Sequence, residues 1–157
     1  MSHFDLLLAL VIAAAAVNGI LAGASLDQSI KQLPVRKRIG LVAFSAYARA
    51  ADLGPGVAWY AVIGIGAALF SLAAAVVSLV RATPTAQTLP LVLAGITSLV
   101  HSFATSQAAP TYLSQRTVPD DETALARIYV RFVRWQTVRA VFQPLTFALT
   151  LWALVAF

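Results

Sequence analysis

Hydrophobic side chains fill four long runs of this chain, Phe4–Leu26, Val57–Val80, Leu89–Ala109 and Ala140–Phe157, and polar ones gather between them. Each run is about the 17–25 residues that a helix needs to cross a hydrocarbon core. Backbone groups in lipid must bond within their own segment, so each run predicts a helix. The stretches between the runs carry structure of their own. Ile39, Ala43, Ala46 and Ala50 recur at helical spacing among basic residues, which predicts a short amphipathic helix over Arg36–Asp52 at the membrane surface. Pro34 precedes it and Gly54-Pro55-Gly56 ends it. Pro119 followed by Asp120-Asp121-Glu122 is a helix start with acid at the positive end of the dipole. The next proline is Pro144, so one long helix should run from about Asp121 into the last span, with a kink near Pro144. The expected fold is all-α: an integral membrane four-helix bundle, residues 1–157 forming one domain with two basic cytoplasmic helical segments.

Charge gives the expected orientation. Nine of the eleven Lys and Arg residues lie in two segments: Lys31, Arg36, Lys37, Arg38 and Arg49, then Arg116, Arg127, Arg131 and Arg134. Arg139 borders the second, and Arg81 stands alone between the second and third runs. The positive-inside rule places both basic segments in the cytoplasm of an inner membrane and both termini outside. The net charge of +5 then reflects topology and not nucleic-acid binding. Met1–Asp5 holds no Lys or Arg but does hold Asp5, which favours a first span over a cleaved signal peptide. The two halves share a rhythm of span, basic helix and span, and Tyr47-x-Arg49 is echoed by Tyr129-x-Arg131; duplication and simple four-span topology both account for this.

Composition narrows the chemistry. With no cysteine, disulfides, thiolate metal sites and thioether-linked haem are excluded. His3 and His101 are the two histidines, expected at different depths, with no paired-ligand spacing, so no metal site is expected. Polar residues inside spans are costly and point to function. Thr97, Ser98, His101, Ser102, Thr105 and Ser106 follow one broad face of the third run, and Asn18 lies at the depth of His101. Below that level come Asp27, Tyr60, Gln136, Arg139 and Gln143, while the outer half is mostly Ala, Val and Leu. This depth pattern predicts a polar pocket in the cytoplasmic half, with Asn18, Asp27, Thr105, Gln136 and Gln143 as ligand contacts. The bland readings stand beside it. Ser and Thr bond back to their own helix, His101 bridges two helices, and Asp27 and Asp52 pair with Lys31, Arg49 or Arg139. Gly19-x-x-x-Gly23 reads as a close helix contact, with a dimer seam the lesser alternative.

Ala109-Pro110-Thr111-Tyr112-Leu113, Asp120-Asp121 and Trp135-Gln136-x-x-Arg139 before a final apolar span resemble the anthrone oxygenase-like family of small four-span membrane proteins. Gly19-x-x-x-Gly23 and Leu33-Pro34 are also similar. Gln136 stands where the family usually has Asn, and the Asn that follows the family's proline is absent. The resemblance implies oxidation of a polycyclic anthrone to an anthraquinone without a metal or flavin cofactor. A base would form a carbanion that reacts with oxygen, and a donor would hold the oxyanion. On that reading His101 is the base, and Arg139 or Tyr60 the donor. Two classes of function therefore stand: a pocket for an apolar small molecule, oxygenase-like in the extreme case, or an accessory subunit of a larger membrane complex or homo-oligomer. A transporter is less well matched, because no pair of broken spans is evident.

Overall fold

The computed structural model describes residues 5–157, so His3 and the Phe4 start of the first run lie outside the described residues. The first helix, α1 (Leu6–Asp27), starts at Asp5, whose carboxylate accepts from the backbone N–H of Leu7 at 2.9 Å. Its last turn does not stop. It widens into a π-helical turn at Gln28–Gln32 and continues as α2 (Leu33–Ile39). Pro34 lacks an N–H and its ring crowds the carbonyl one turn back; an i−5 turn, with Leu33 N–H bonded to Gln28 C=O, absorbs that conflict. The break expected at Pro34 instead falls at Gly40, whose φ of 84° is costly for any residue with a Cβ.

Beyond Gly40 lies α3 (Leu41–Ala50). It is one of two short helices where the sequence predicted one, and its buried face is also different. Phe44, Ser45 and Ala48 point inward, whereas Ala43, Ala46 and Ala50 are exposed. A tight turn follows, in which a Cβ at Gly54 would sit 2.6 Å from the Ala50 carbonyl oxygen. Next come α4 (Gly56–Val80) and α5 (Thr85–Leu113). The last helix, α6 (Glu122–Val155), is the single long helix expected, with the Asp121 side chain capping Thr123 and Ala124. At about 1.5 Å per residue its 34 residues span roughly 50 Å, well beyond a hydrocarbon core of about 30 Å. Its first turns therefore project beyond the hydrocarbon with the basic residues.

α1, α4, α5 and α6 form an antiparallel ring in which each packs on the next and α6 returns to α1. All four are long and apolar enough to cross a membrane, which fits a multi-pass integral membrane protein. The two ends are built differently. At the end holding Asp5, a small aliphatic cluster of Leu7, Val11, Ala74, Leu91 and Ala153 fills the centre, and Arg81 reaches Asp5 at 3.3 Å. At the basic end, Leu33, Phe44, Leu53, Tyr112, Leu125, Tyr129 and Phe132 pack together, with Tyr112 stacked on Phe132 at 4.2 Å. Gln115 ties this end: it accepts from Ser45 at 2.8 Å and from Tyr129 at 2.9 Å. Arg49 pairs with Asp120 across the two basic segments. The likeness between halves is shallow here, because Tyr129 is buried while Tyr47 is half exposed.

The glycines separate the expected helix contact into two cases. A Cβ built on Gly19 lies 3.0 Å from the ring of Phe147, so α1 and α6 do meet there. Gly23 has nothing within 4 Å and is not a packing site. Gly19→Leu should therefore lower thermal stability in detergent by about 1–3 kcal/mol through overpacking, while Gly23→Leu should leave it nearly unchanged. Equal effects of the two changes would contradict this placement.

Candidate functional site

Midway along the bundle the polar side chains pair with one another. Asn18 on α1 donates to Ser71 on α4 at 2.9 Å and to the Ala14 carbonyl at 2.8 Å. Its own carbonyl oxygen accepts from Gln143 on α6 at 2.7 Å. One level away Thr146 on α6 donates to Thr97 on α5 at 2.8 Å. These bonds tie all four spanning helices together through fully or nearly buried groups. Gln136 forms a second node toward the basic end, donating to the Ser25 carbonyl at 3.1 Å and to Ser29 Oγ at 3.0 Å. Its amide oxygen then accepts from Arg139 Nη1 at 2.8 Å.

Between α4 and α5, on the basic side of this layer, the helices part around a cavity of about 610 Å³. Close packing on the other side is set by Gly95, where a Cβ would lie 3.3 Å from Ala75. On the basic side, small residues on α4 at helical spacing, Ala61, Gly64 and Ala68, leave the space unfilled, and Gly64 has no neighbour within 4 Å. The wall is mostly aliphatic, unlike the polar pocket that depth predicted, and it includes Ile65 and Leu69, which are 61% and 62% exposed on the outer surface of α4. Polar groups stand at two levels. His101, Thr105 and Arg139 lie deeper. Tyr60, Asp52, Gln28 and Tyr112 lie toward the basic end.

Asp52 sits in the turn before α4 and accepts from Tyr112 at 2.9 Å. Burial pushes its carboxyl above the ordinary carboxylate range, and the Tyr112 bond opposes that shift. Among the described residues, four buried side-chain atoms have no hydrogen-bond partner: Gln32 Oε1, His101 Nε2, Thr105 Oγ1 and Arg139 Nε. Three of those four side chains line this one cavity.

Of the residues singled out from the sequence, His101, Arg139, Tyr60 and Thr105 come together in the cavity wall. Asn18 and Gln143 lie in the bonded layer outside it, and Gln136 touches it only through Arg139. Asp27 points away, bonded to Lys31 and to Gln32 at 2.7 Å. Asp52, Gln28, Tyr112 and Phe132 in the wall were not marked as site residues. The run of small residues facing α5 was the available signal. No group of three or more metal-binding side chains occurs among the described residues. No family model, curated protein or solved structure matches this chain.

The mid-bundle layer predicts a characteristic coupling. Gln143→Leu leaves Asn18 Oδ1 buried without a donor and should cost about 1–3 kcal/mol of stability. Adding Asn18→Leu should recover part of that loss, since Asn18 Oδ1 is then gone, while the remaining part reflects Ser71 Oγ, which loses its Asn18 donor. Thermal unfolding of the two singles and the double in detergent checks it, and strictly additive losses would contradict the bonding.

Proposed function

We propose that this protein holds an apolar small molecule in the cavity between α4 and α5, taken up from the bilayer. The observation that carries the reading is a largely aliphatic cavity in the half of the bundle where α4 and α5 part, with Ile65 and Leu69 of its wall exposed on the outer surface. Its volume falls within the range of sites for drug-sized ligands, about 300–1,000 Å³. A ligand dissolved in lipid would meet those exposed residues directly. The accessory-subunit alternative draws on no comparable feature, because exposed apolar helix faces are what any lipid-embedded bundle presents.

The anthrone oxygenase-like resemblance would add a reaction to the pocket. His101 Nε2, buried and unpaired, would take a proton from the substrate's methylene carbon, and Arg139 or Tyr60 would donate to the ring oxygen that shares the resulting negative charge. Dioxygen would add to the carbanion as a hydroperoxide, and loss of the second methylene proton with O–O cleavage would give the ketone and water. We also propose that the basic end faces the cytoplasm, with both termini outside. Nine of the eleven Lys and Arg residues support that orientation under the positive-inside rule.

Gly64→Leu tests the cavity, since its side chain would project into open space. The variant should fold with unchanged thermal stability and release most of the apolar material that mass spectrometry finds on the purified protein. Full retention would reject the cavity as the site. With anthrone as probe, dioxygen uptake by the unmodified protein and its loss in His101→Ala would support the reaction; no uptake removes the reaction and leaves the binding reading. A reporter fused after Phe157 should give a non-cytoplasmic signal, and a cytoplasmic one overturns the orientation.

A further inference from the structure

The unpaired atoms in the cavity wall have a definite chemistry. Arg139 Nε–H is a donor and its guanidinium is charged at any ordinary pH. The Thr105 hydroxyl donates or accepts, and His101 donates in its Nε2–H tautomer. All three side chains stand in the cavity wall, His101 and Thr105 on α5 and Arg139 on α6, with these atoms themselves covered, so a ligand head would meet them after a side-chain shift. Among the described residues no carboxylate pairs with Arg139; its polar partner is the neutral Gln136 amide. Gln136 is itself fixed by Ser25 and Ser29 on the α1 side, which orients its oxygen toward Arg139 Nη1. The guanidinium is thus held in place while its Nε–H remains free. A buried cation without a counter-charge is costly, and a ligand that brings one negative charge offsets that cost.

We infer that the cavity takes a hydrophobic carboxylate, its acid head on Arg139, Thr105 and His101 and its apolar body against Ala61, Gly64 and Ile65. One guanidinium with two neutral donors matches a single negative charge carried on two oxygens. A phosphomonoester head, with up to two charges on three terminal oxygens, would leave part of its charge unpaired here. Asp52 is the one carboxylate in the wall and does not oppose this placement. It is bonded to Tyr112, seven residues from Thr105 along α5, or roughly 10 Å of helix rise. Ile65 and Leu69 of the wall, both exposed on the outer surface of α4, give the body a route in from the bilayer with the head leading inward.

The inference rests on the cavity reading above and is independent of any reaction there. Its test uses the full chain in lipid nanodiscs with two probes, a diazirine-bearing stearic acid and the methyl ester of the same compound. The acid should cross-link to residues of the cavity wall on α4 and α5 at least about tenfold more than the ester, and unlabelled oleate should compete while methyl oleate does not. Arg139→Gln should abolish the preference for the acid, and Arg139→Lys should retain part of it. The acid–ester comparison in the unmodified protein needs no variant to fold. Equal labelling of the wall by acid and ester overturns the head-group assignment and leaves the apolar cavity standing. Acid preference that survives Arg139→Gln overturns the role of Arg139. Absence of wall labelling by either probe overturns both this inference and the cavity reading.

Discussion

A polar side chain held in hydrocarbon has to find its partner within the protein, and the middle of this bundle is arranged around that requirement. Asn18, Ser71, Gln143, Thr97 and Thr146 lie where water does not reach, and each bonds to a group on another helix. Small apolar side chains surround them, so the helices gain little specificity from shape alone. Directional bonds at one level fix rotation and register in a way that interchangeable Ala and Val contacts do not. The helices can then differ above and below that level: tight on one side, where Gly95 meets Ala75, and parted on the other.

The same requirement explains why the polar residues divide into two groups. Those of the central layer spend their hydrogen-bonding capacity on one another. Those around the cavity do not, and His101, Thr105 and Arg139 each keep an atom free. An interior that satisfies one set of groups and leaves the next set unpaired, a few turns away on the same helices, is the observation on which the proposed ligand rests. Gln136 belongs to both sets, since it closes the contact with α1 and also sets the direction of Arg139.

Much of the fold could be read from the sequence because hydrocarbon permits few solutions. Four apolar runs became four spanning helices, and Pro119 with Asp120-Asp121-Glu122 marked the start of α6. Two features escaped for reasons of local geometry. The helix absorbed Pro34 through a π turn, so the chain broke at Gly40, and the inward face of α3 was set by packing of Phe44 on Tyr129 at 5.4 Å instead of by the alanine stripe. The site was half legible. Depth in the membrane grouped His101, Thr105, Tyr60 and Arg139, and these share the cavity wall. Depth alone says nothing of rotation, so Asn18 and Gln143 shared the level yet point into the bonded layer, and Asp27 turns outward to Lys31.

The exposed position of Ile65 and Leu69 in the cavity wall would have a consequence for selectivity if the cavity holds a ligand as proposed. A closed chamber measures its guest in every dimension, and an extra methylene must be fitted or refused. A tail that outgrew the space beside Ile65 and Leu69 would instead continue into the surrounding lipid, where it is equally at home. Chain length would then be almost invisible to the protein. Thickness would count instead, because α4 and α5 are held together at Gly95, and a guest thicker than a single chain or a flat ring system would have to force them apart.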